Sequence, residues 1–106
     1  MDFDLKGRAC LVTGASSGIG AGVVRLLAQQ GARVAATARR VDKIERHEKV
    51  IALAGDVTNA GDIAGIAAEA TKALGPIDIL VNCAGGSRPT GPDAPEDVWE
   101  EAFALN

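Results

Sequence analysis

Three glycines at fixed spacing follow the first apolar run of the chain. The segment reads Thr13-Gly14-Ala15-Ser16-Ser17-Gly18-Ile19-Gly20 and leads into a stretch with helical periodicity. Gly14 permits a tight turn, Gly18 lets the backbone approach a pyrophosphate, and Gly20 lets the helix pack close to the sheet. The free amides and the positive end of such a helix bind phosphate. The alternative is a tight turn with no ligand.

A pair of arginines follows the second apolar run. In a site for NAD(H), an acidic residue about 20 residues past the glycines binds the ribose hydroxyls. This chain has Ala38 there, followed by Arg39 and Arg40. A guanidinium binds a 2′-phosphate through paired hydrogen bonds and stacks on adenine, whereas a carboxylate repels that phosphate. Beside the glycine loop the pair predicts NADP(H) as the cofactor; taken alone, it indicates an exposed charged turn.

These residues must be positioned by the elements around them. The strands are almost wholly apolar, which indicates a parallel sheet covered by helices on both faces. Right-handed crossovers then give an α/β, doubly wound sheet. In the dinucleotide-binding variant of that sheet the strand order would be 3-2-1-4, with a ligand crevice between the ends of strands 1 and 4. We predict strands at 9–12, 33–37, 50–53 and 77–81, helices at 18–30, 60–74 and from 95 onward, a short charged helix at best at 41–47, and a loop at 84–94.

The first two helices carry predictions about individual side chains. In the first helix, one stripe combines Ile19, Val23, Leu26, Leu27 and Gln30 at i, i+4, i+7, i+8 and i+11, and its four apolar residues suit an amphipathic helix. In the second, Asn59 is typical of an N-cap, with Asp62 three residues later in a position that resembles a capping box.

Composition and charge exclude several classes of function. The chain has 106 residues, 47% of them hydrophobic, with 11 basic and 14 acidic side chains and a net charge of −3. This acidic balance argues against a nonspecific nucleic-acid binder. No apolar run approaches the ~18 residues of a membrane helix, and the acidic N-terminus lacks the basic region of a secretion signal. We therefore expect one soluble cytoplasmic domain that contacts neither nucleic acid nor membrane.

The remaining polar and thiol groups predict no metal site. Cys10 and Cys83 lie in apolar runs and are expected to be reduced core thiols. His47 stands in a charged stretch with no second ligand nearby, so we expect it in solvent. Asp78 is expected to open the fourth strand and to accept hydrogen bonds from nearby backbone or from Ser/Thr side chains, because an unpaired buried carboxylate would be costly.

The glycine segment resembles the TGxxxGIG motif of the short-chain dehydrogenases/reductases, in their compact, non-extended branch, with similarity to 3-oxoacyl-[acyl-carrier-protein] reductases and related ketoreductases. Other pieces fall where that family has them. Asp56-Val57 resembles its adenine-binding turn, Asn82-Cys83-Ala84-Gly85 resembles its NNAG motif, and Asn106 matches the asparagine of its catalytic tetrad. The resemblance implies a Rossmann fold whose cofactor contacts are Gly14, Ser16, Ser17, Gly18, Ile19, Gly20, Arg39, Arg40, Asp56, Val57, Asn82, Ala84 and Gly85.

The resemblance also assigns roles. The Asp56 side chain would contact the adenine amino group and Val57 the adenine ring. Asn82 would tie neighbouring strands together and contact a ribose, and Cys83 departs from the family's second asparagine. In the last helix Trp99, Ala102, Phe103 and Asn106 share one face, with Trp99 and Phe103 expected in the core. Asn106 would serve the proton relay beside a catalytic lysine; the alternatives are a helix C-cap or a chain end.

The implied activity interconverts a ketone or 3-oxoacyl group and a secondary alcohol by hydride transfer. In the family a Tyr is the general acid/base, assisted by a Lys and a Ser, but this chain has no Tyr. We therefore expect residues 1–106 to be the N-terminal part of one Rossmann domain, inactive alone. The full protein would act on a small-molecule carbonyl or alcohol, free or bound to acyl carrier protein, as a homodimer or homotetramer. The alternatives are a non-catalytic dinucleotide-binding module, such as a sensor or scaffold, and a purely structural interaction domain.

Overall fold

A computed structural model describes residues 4–83 and 102–103 of the chain. Strands and helices alternate, as the periodicity predicts. The elements are β1 (Ala9–Thr13), α1 (Gly18–Gln29), β2 (Arg33–Ala38), a single 3-10 turn η1 (Val41–Lys43), β3 (Val50–Ala54), α2 (Ala60–Leu74) and β4 (Ile79–Asn82). Ala102 and Phe103 are helical, which agrees with the predicted last helix at these two positions.

The four strands form one parallel sheet in the order β3-β2-β1-β4, which confirms the predicted topology. β1 lies at the centre, paired with β2 and with β4 in register, so that Thr13 is opposite both Thr37 and Asn82. All four strands therefore end at the same edge of the sheet. In a doubly wound sheet the ligand crevice opens at that edge, where the strand order reverses between β1 and β4.

Two apolar clusters hold the helices to opposite faces of the sheet. On the α1 face, Cys10 and Val12 of β1 pack with Val34 and Ala36 of β2 and with Val24 of α1. On the other face, the cluster combines strand and α2 residues, namely Leu11, Ala35, Ile63, Ile66 and Ala70, and Phe103 packs against it as predicted. The strict alternation follows from the two-residue period of a strand.

The apolar stripe predicted for α1 is only partly buried, because Leu27 lies in the core and Val23 packs against it but the other two residues do not. Ile19 and Leu26 are 78% and 56% exposed, whereas the buried residues of α1 are Gly20, Val24, Leu27 and Ala28. The apolar pattern alone would place the large side chains of Ile19 and Leu26 against the sheet. Gly20 instead lies directly against the carbonyl group of Gly14, and this close approach rotates the helix so that Ile19 faces solvent.

β3 is less covered than the central strands. β1 is buried at every position, but Ala52 and Ala54 of β3 are exposed, so the expectation of full burial fails for this strand. The crossover from β2 to β3 is short and contains the three-residue turn η1 instead of a helix. It is attached to α1 by the buried side chain of Ile44 and by an ion pair between Arg25 Nη2 and Glu45 Oε2 at 2.8 Å.

Cys10 and Asp78 lie as expected, whereas Cys83 is only half-buried. The thiol of Cys10 is buried, and this burial raises its pKa. Asp78 precedes β4, and its Oδ2 accepts the Ala9 amide at 3.0 Å, as predicted for a strand-opening carboxylate. Across 4–83 and 102–103, no group of three or more potential ligands is placed to hold a metal ion. In the same part of the chain, no helix has both the length and the apolarity to cross a bilayer.

Candidate functional site

The turn between β1 and α1 is fixed by hydrogen bonds to its own backbone. Gly14 has a φ of 64°, a conformation that favours glycine. Its carbonyl accepts the Ser17 amide at 3.2 Å and the Ser17 hydroxyl at 2.8 Å. The Ala15 amide donates to the Thr37 carbonyl at 3.0 Å, which anchors the loop to the end of β2. The turn is thus held in place at the carboxyl edge of the sheet.

The N-terminus of α1 is open to an anion. Ser17 is the N-cap, and its Oγ accepts the Gly20 amide at 3.2 Å. The first turn of the helix contains no acidic side chain. A Cβ built on Gly18 would meet no atom within 4 Å, whereas one on Gly20 would overlap the Gly14 carbonyl oxygen. Gly20 is therefore required by packing, while Gly18 keeps a bare backbone facing open space.

The end of β2 brings positive charge to the same edge. Ala38 is buried at the strand end, and both Arg39 and Arg40 are exposed. Arg40 Nη2 forms an ion pair with Asp42 Oδ2 at 3.3 Å. Arg39 lies close enough to Asp56 to help lower the pKa of that carboxyl. Arg39 thus stands between the ends of β2 and β3.

The turn after β3 is held by its own hydroxyl and carboxylate groups. Asp56 Oδ1 accepts the Thr58 hydroxyl at 2.6 Å and the Thr58 amide at 2.9 Å. These hydrogen bonds are the main reason why the pKa of Asp56 is lowered. Val57 is half-buried against the core on the α2 side. Asp56 therefore presents an ionised carboxylate beside an apolar surface at the crevice.

The predicted capping box is only half formed. Asn59 is the N-cap of α2, and its Oδ1 accepts the Asp62 amide at 3.0 Å, as predicted. Asp62 Oδ2, however, accepts the amide of Asp56 at 2.8 Å. Asp62 thus braces the turn that carries Asp56 and Val57.

Asn82 ties β4 to β1, which is the structural part of its predicted role. Its Oδ1 accepts the Thr13 hydroxyl at 2.7 Å. The backbone amide of Cys83 donates to Thr13 Oγ1 at 3.1 Å and to the Thr13 carbonyl at 3.2 Å. The connection at Cys83 therefore runs through its backbone amide.

Sequence reasoning missed the two threonines at the strand ends. Thr13 and Thr37 are neighbours in register, and both are fully buried. Thr13 bonds to β4, whereas Thr37 Oγ1 has no hydrogen-bond partner among the described residues. A hydroxyl at the end of each of two adjacent apolar strands was the available signal.

Some predicted site residues lie outside the described part of the chain. These are Ala84, Gly85, Trp99 and Asn106. Their assignments remain predictions. The described candidates that converge on the carboxyl edge are Gly14, Ser16, Ser17, Gly18, Ile19, Gly20, Arg39, Arg40, Asp56, Val57 and Asn82.

Together these features fit a dinucleotide. A glycine turn leads into a helix whose N-terminus bears no acidic residue, as phosphate binding requires. An exposed arginine and a braced Asp-Val turn stand at the ends of the two strands beside it, on the side expected for the adenosine end. The fold and the site thus define a Rossmann-type dinucleotide-binding unit.

The family model described as short chain dehydrogenase matches residues 8–106. The chain therefore belongs to the short-chain dehydrogenase/reductase family of oxidoreductases. The glycine betaine reductase ATRR of Emericella nidulans is 41% identical over 111 residues, covering 96% of this chain and 9% of that protein. A 2,3-dihydro-2,3-dihydroxybenzoate dehydrogenase of Bacillus subtilis is 37% identical, covering 96% of this chain and 42% of its own length.

Solved structures agree with the fold. A metagenomic short-chain oxidoreductase in complex with NADP aligns with a TM-score of 0.76 at 34% identity, covering 96% of this chain and 57% of that one. The present chain spans less than half the length of the curated relatives named above.

Proposed function

We propose that the protein containing this chain is an NADP(H)-dependent oxidoreductase. It would interconvert a ketone or 3-oxoacyl group and a secondary alcohol by hydride transfer. In this proposal, residues 1–106 form the N-terminal part of one Rossmann domain and supply the cofactor-binding half. The substrate is a small-molecule carbonyl or alcohol, free or carried by acyl carrier protein. The protein works in the cytoplasm as a homodimer or homotetramer.

The observation that carries the cofactor proposal is the pairing of two features at one edge of the sheet. The N-terminus of α1 has no acidic residue in its first turn. The end of β2 offers an exposed Arg39 after a buried Ala38, where an acidic residue would favour NAD(H). Helix amides receive the pyrophosphate, and the guanidinium receives a 2′-phosphate through charge-assisted hydrogen bonds.

The other residues act by binding and orientation. The proposed contacts to the adenosine end are Arg39, Arg40, Asp56 and Val57. Asn82 braces the sheet through Thr13, where it can contact a ribose. Ala84 and Gly85 are further proposed contacts to the cofactor. When bound, the nicotinamide supplies or accepts the hydride. Asn106 would hold a relay water, and the general acid/base would come from residues beyond this chain.

The test is a titration of the full-length protein with each nucleotide, in which binding is measured by fluorescence. We expect NADPH to bind more tightly than NADH. Arg39→Gln should weaken NADPH about 10- to 100-fold, since a hydrogen bond to a charged group contributes about 1.5–3 kcal/mol. The affinity for NADH should change by no more than about twofold, because NADH has no 2′-phosphate. The control is Arg46→Gln, which removes another exposed arginine from the same crossover.

The outcomes separate the candidate functions. Tighter binding of NADH than of NADPH would contradict the cofactor assignment. Binding of NADPH without reduction of any ketone or 3-oxoacyl thioester would favour the non-catalytic dinucleotide-binding module. Failure to bind either nucleotide would overturn the proposal as a whole.

A further inference from the structure

The two arginines at the end of β2 are not equivalent. Arg40 forms the ion pair with Asp42 Oδ2 at 3.3 Å, and both side chains are more than half exposed. Arg39 is exposed, and its charge helps to lower the pKa of Asp56 in the turn after β3. The carboxylate of Asp42 thus lies beside the two arginines that the proposed function assigns to the 2′-phosphate.

The backbone keeps Asp42 in that position. The Lys43 amide donates to the Arg40 carbonyl at 3.0 Å, and the Ile44 amide donates to the Val41 carbonyl at 3.1 Å, which closes the turn η1 around Asp42. Ile44 is 6% exposed and packs into the core beside α1. Because three residues span at most about 10 Å, the Cα of Asp42 stays within that distance of the Cα of Arg39.

We propose that Asp42 is a specificity-determining residue that moderates the preference for NADP(H). Its carboxylate engages Arg40 and opposes the charge of a 2′-phosphate held by Arg39. This inference rests on the proposed function. In the described structure Asp42 forms its ion pair with Arg40 and no hydrogen bond with the turns after β1 and β3, so its proposed effect acts through charge.

The size of the effect follows from Coulomb's law. Two unit charges about 7 Å apart in water interact by roughly RT, or about a threefold change in affinity. A phosphate monoester carries close to two charges near neutral pH, and salt screens part of the interaction. Removing the Asp42 charge should therefore tighten NADPH about 3- to 10-fold. Releasing Arg40 from its ion pair acts in the same direction.

The experiment compares Asp42→Asn with Glu48→Gln in the full-length protein. Glu48 is an exposed acid of the same crossover but lies just before β3, at the opposite edge of the sheet. NADPH and NADH are titrated at low and at high salt. We expect Asp42→Asn to lower the dissociation constant of NADPH 3- to 10-fold at low salt and by less at high salt. The dissociation constant of NADH should change by no more than about twofold. Glu48→Gln should change neither by more than about twofold.

A second pair of variants isolates the role of Arg40. In an Arg40→Gln background, the gain from Asp42→Asn should shrink, because part of it comes from the released guanidinium. The inference is wrong if Asp42→Asn leaves NADPH unchanged or weaker, or if it shifts NADPH and NADH equally. These results differ from failure of the proposed function, in which the unsubstituted protein binds neither nucleotide or prefers NADH; that outcome would overturn this inference as well.

Discussion

Two helices begin at the same edge of the sheet, and their N-termini are built differently. α1 follows β1 and is capped by Ser17, with no acidic residue in its first turn. α2 follows β3 and is capped by Asn59, with Asp62 in its first turn. Both ends have the partial positive charge of a helix N-terminus. In α2 a carboxylate of the chain itself already lies there.

Under the proposed function, this difference explains why a phosphate would bind at only one of the two similar helix ends. Asp62 stabilises the N-terminus of α2 and braces the Asp56 amide at 2.8 Å, so this end is occupied by internal structure. The α1 end has glycine at position 18 with open space beside it. An anion-binding helix end therefore requires exposed amides and also the absence of a competing carboxylate.

The largest effect is expected where α1 meets the turn. In Gly20→Ala, the new Cβ would overlap the Gly14 carbonyl oxygen, so the helix must move away from the turn. We expect a loss of about 1–3 kcal/mol or more in the free energy of unfolding and loss of nucleotide binding, measured by denaturant titration and NADPH fluorescence. The control is Gly22→Ala, where a Cβ meets nothing within 4 Å; it should stabilise the helix by about 0.5–1 kcal/mol. Equal stability of the two variants would contradict this account.

The next prediction makes the α1 end resemble the α2 end. Ile19 is 78% exposed in the first turn of α1, so Ile19→Asp adds a carboxylate there without disturbing the core. We expect NADPH to bind at least about tenfold more weakly. The free energy of unfolding should stay equal or rise by up to about 1 kcal/mol. Ile19→Asn removes the same apolar side chain without adding charge. If both variants weaken binding equally, charge is not the cause.

A smaller effect separates the two strand-end threonines. Thr13→Val should destabilise the protein by about 1–3 kcal/mol, because Asn82 loses its donor and the Cys83 amide one of its acceptors. Thr37→Val should be neutral or stabilising by about 1 kcal/mol, because the buried Thr37 hydroxyl has no partner among the described residues. Denaturant unfolding measures both, and a destabilised Thr37→Val would show that this hydroxyl has a partner in solution.

The sequence predicted the parts of the molecule that depend on local pattern. The alternation of strands and helices followed from apolar runs and helical periodicity, and the N-cap at Asn59 followed from residue type. The strand order followed from the dinucleotide-binding form of the fold. It did not predict the rotation of α1, because the contact between Gly20 and Gly14 outweighs the apolar pattern of Ile19 and Leu26.

Within the site, side-chain partners across strands were also beyond sequence reasoning. The bond from Thr13 to Asn82 joins residues 69 apart. The support of Asp56 by Asp62 replaced the expected capping box, because the turn after β3 places the Asp56 amide within reach of that carboxylate. Residue type indicated that these groups were polar and near the crevice, and the fold decided which of them meet.

The smallest expected effect concerns the turn of Asp56 and Thr58, just before the N-terminus of α2. Hydrogen bonds from Thr58 to Asp56 Oδ1 stabilise the ionised carboxylate, so the pKa of Asp56 is lowered in the folded protein. A group with a lowered pKa contributes stability that is present above its unfolded pKa and is lost as the pH falls through its folded pKa. Thr58→Val removes the stronger of the two bonds, so the pKa of Asp56 should move up towards its usual range. Asp56 would then contribute less stability, and the loss of that contribution on acidification would be complete at a higher pH. Carboxyl NMR titration measures this, with Thr71→Val on the exposed face of α2 as the control; an unchanged Asp56 titration would mean that the backbone amide of Thr58 alone sets the pKa.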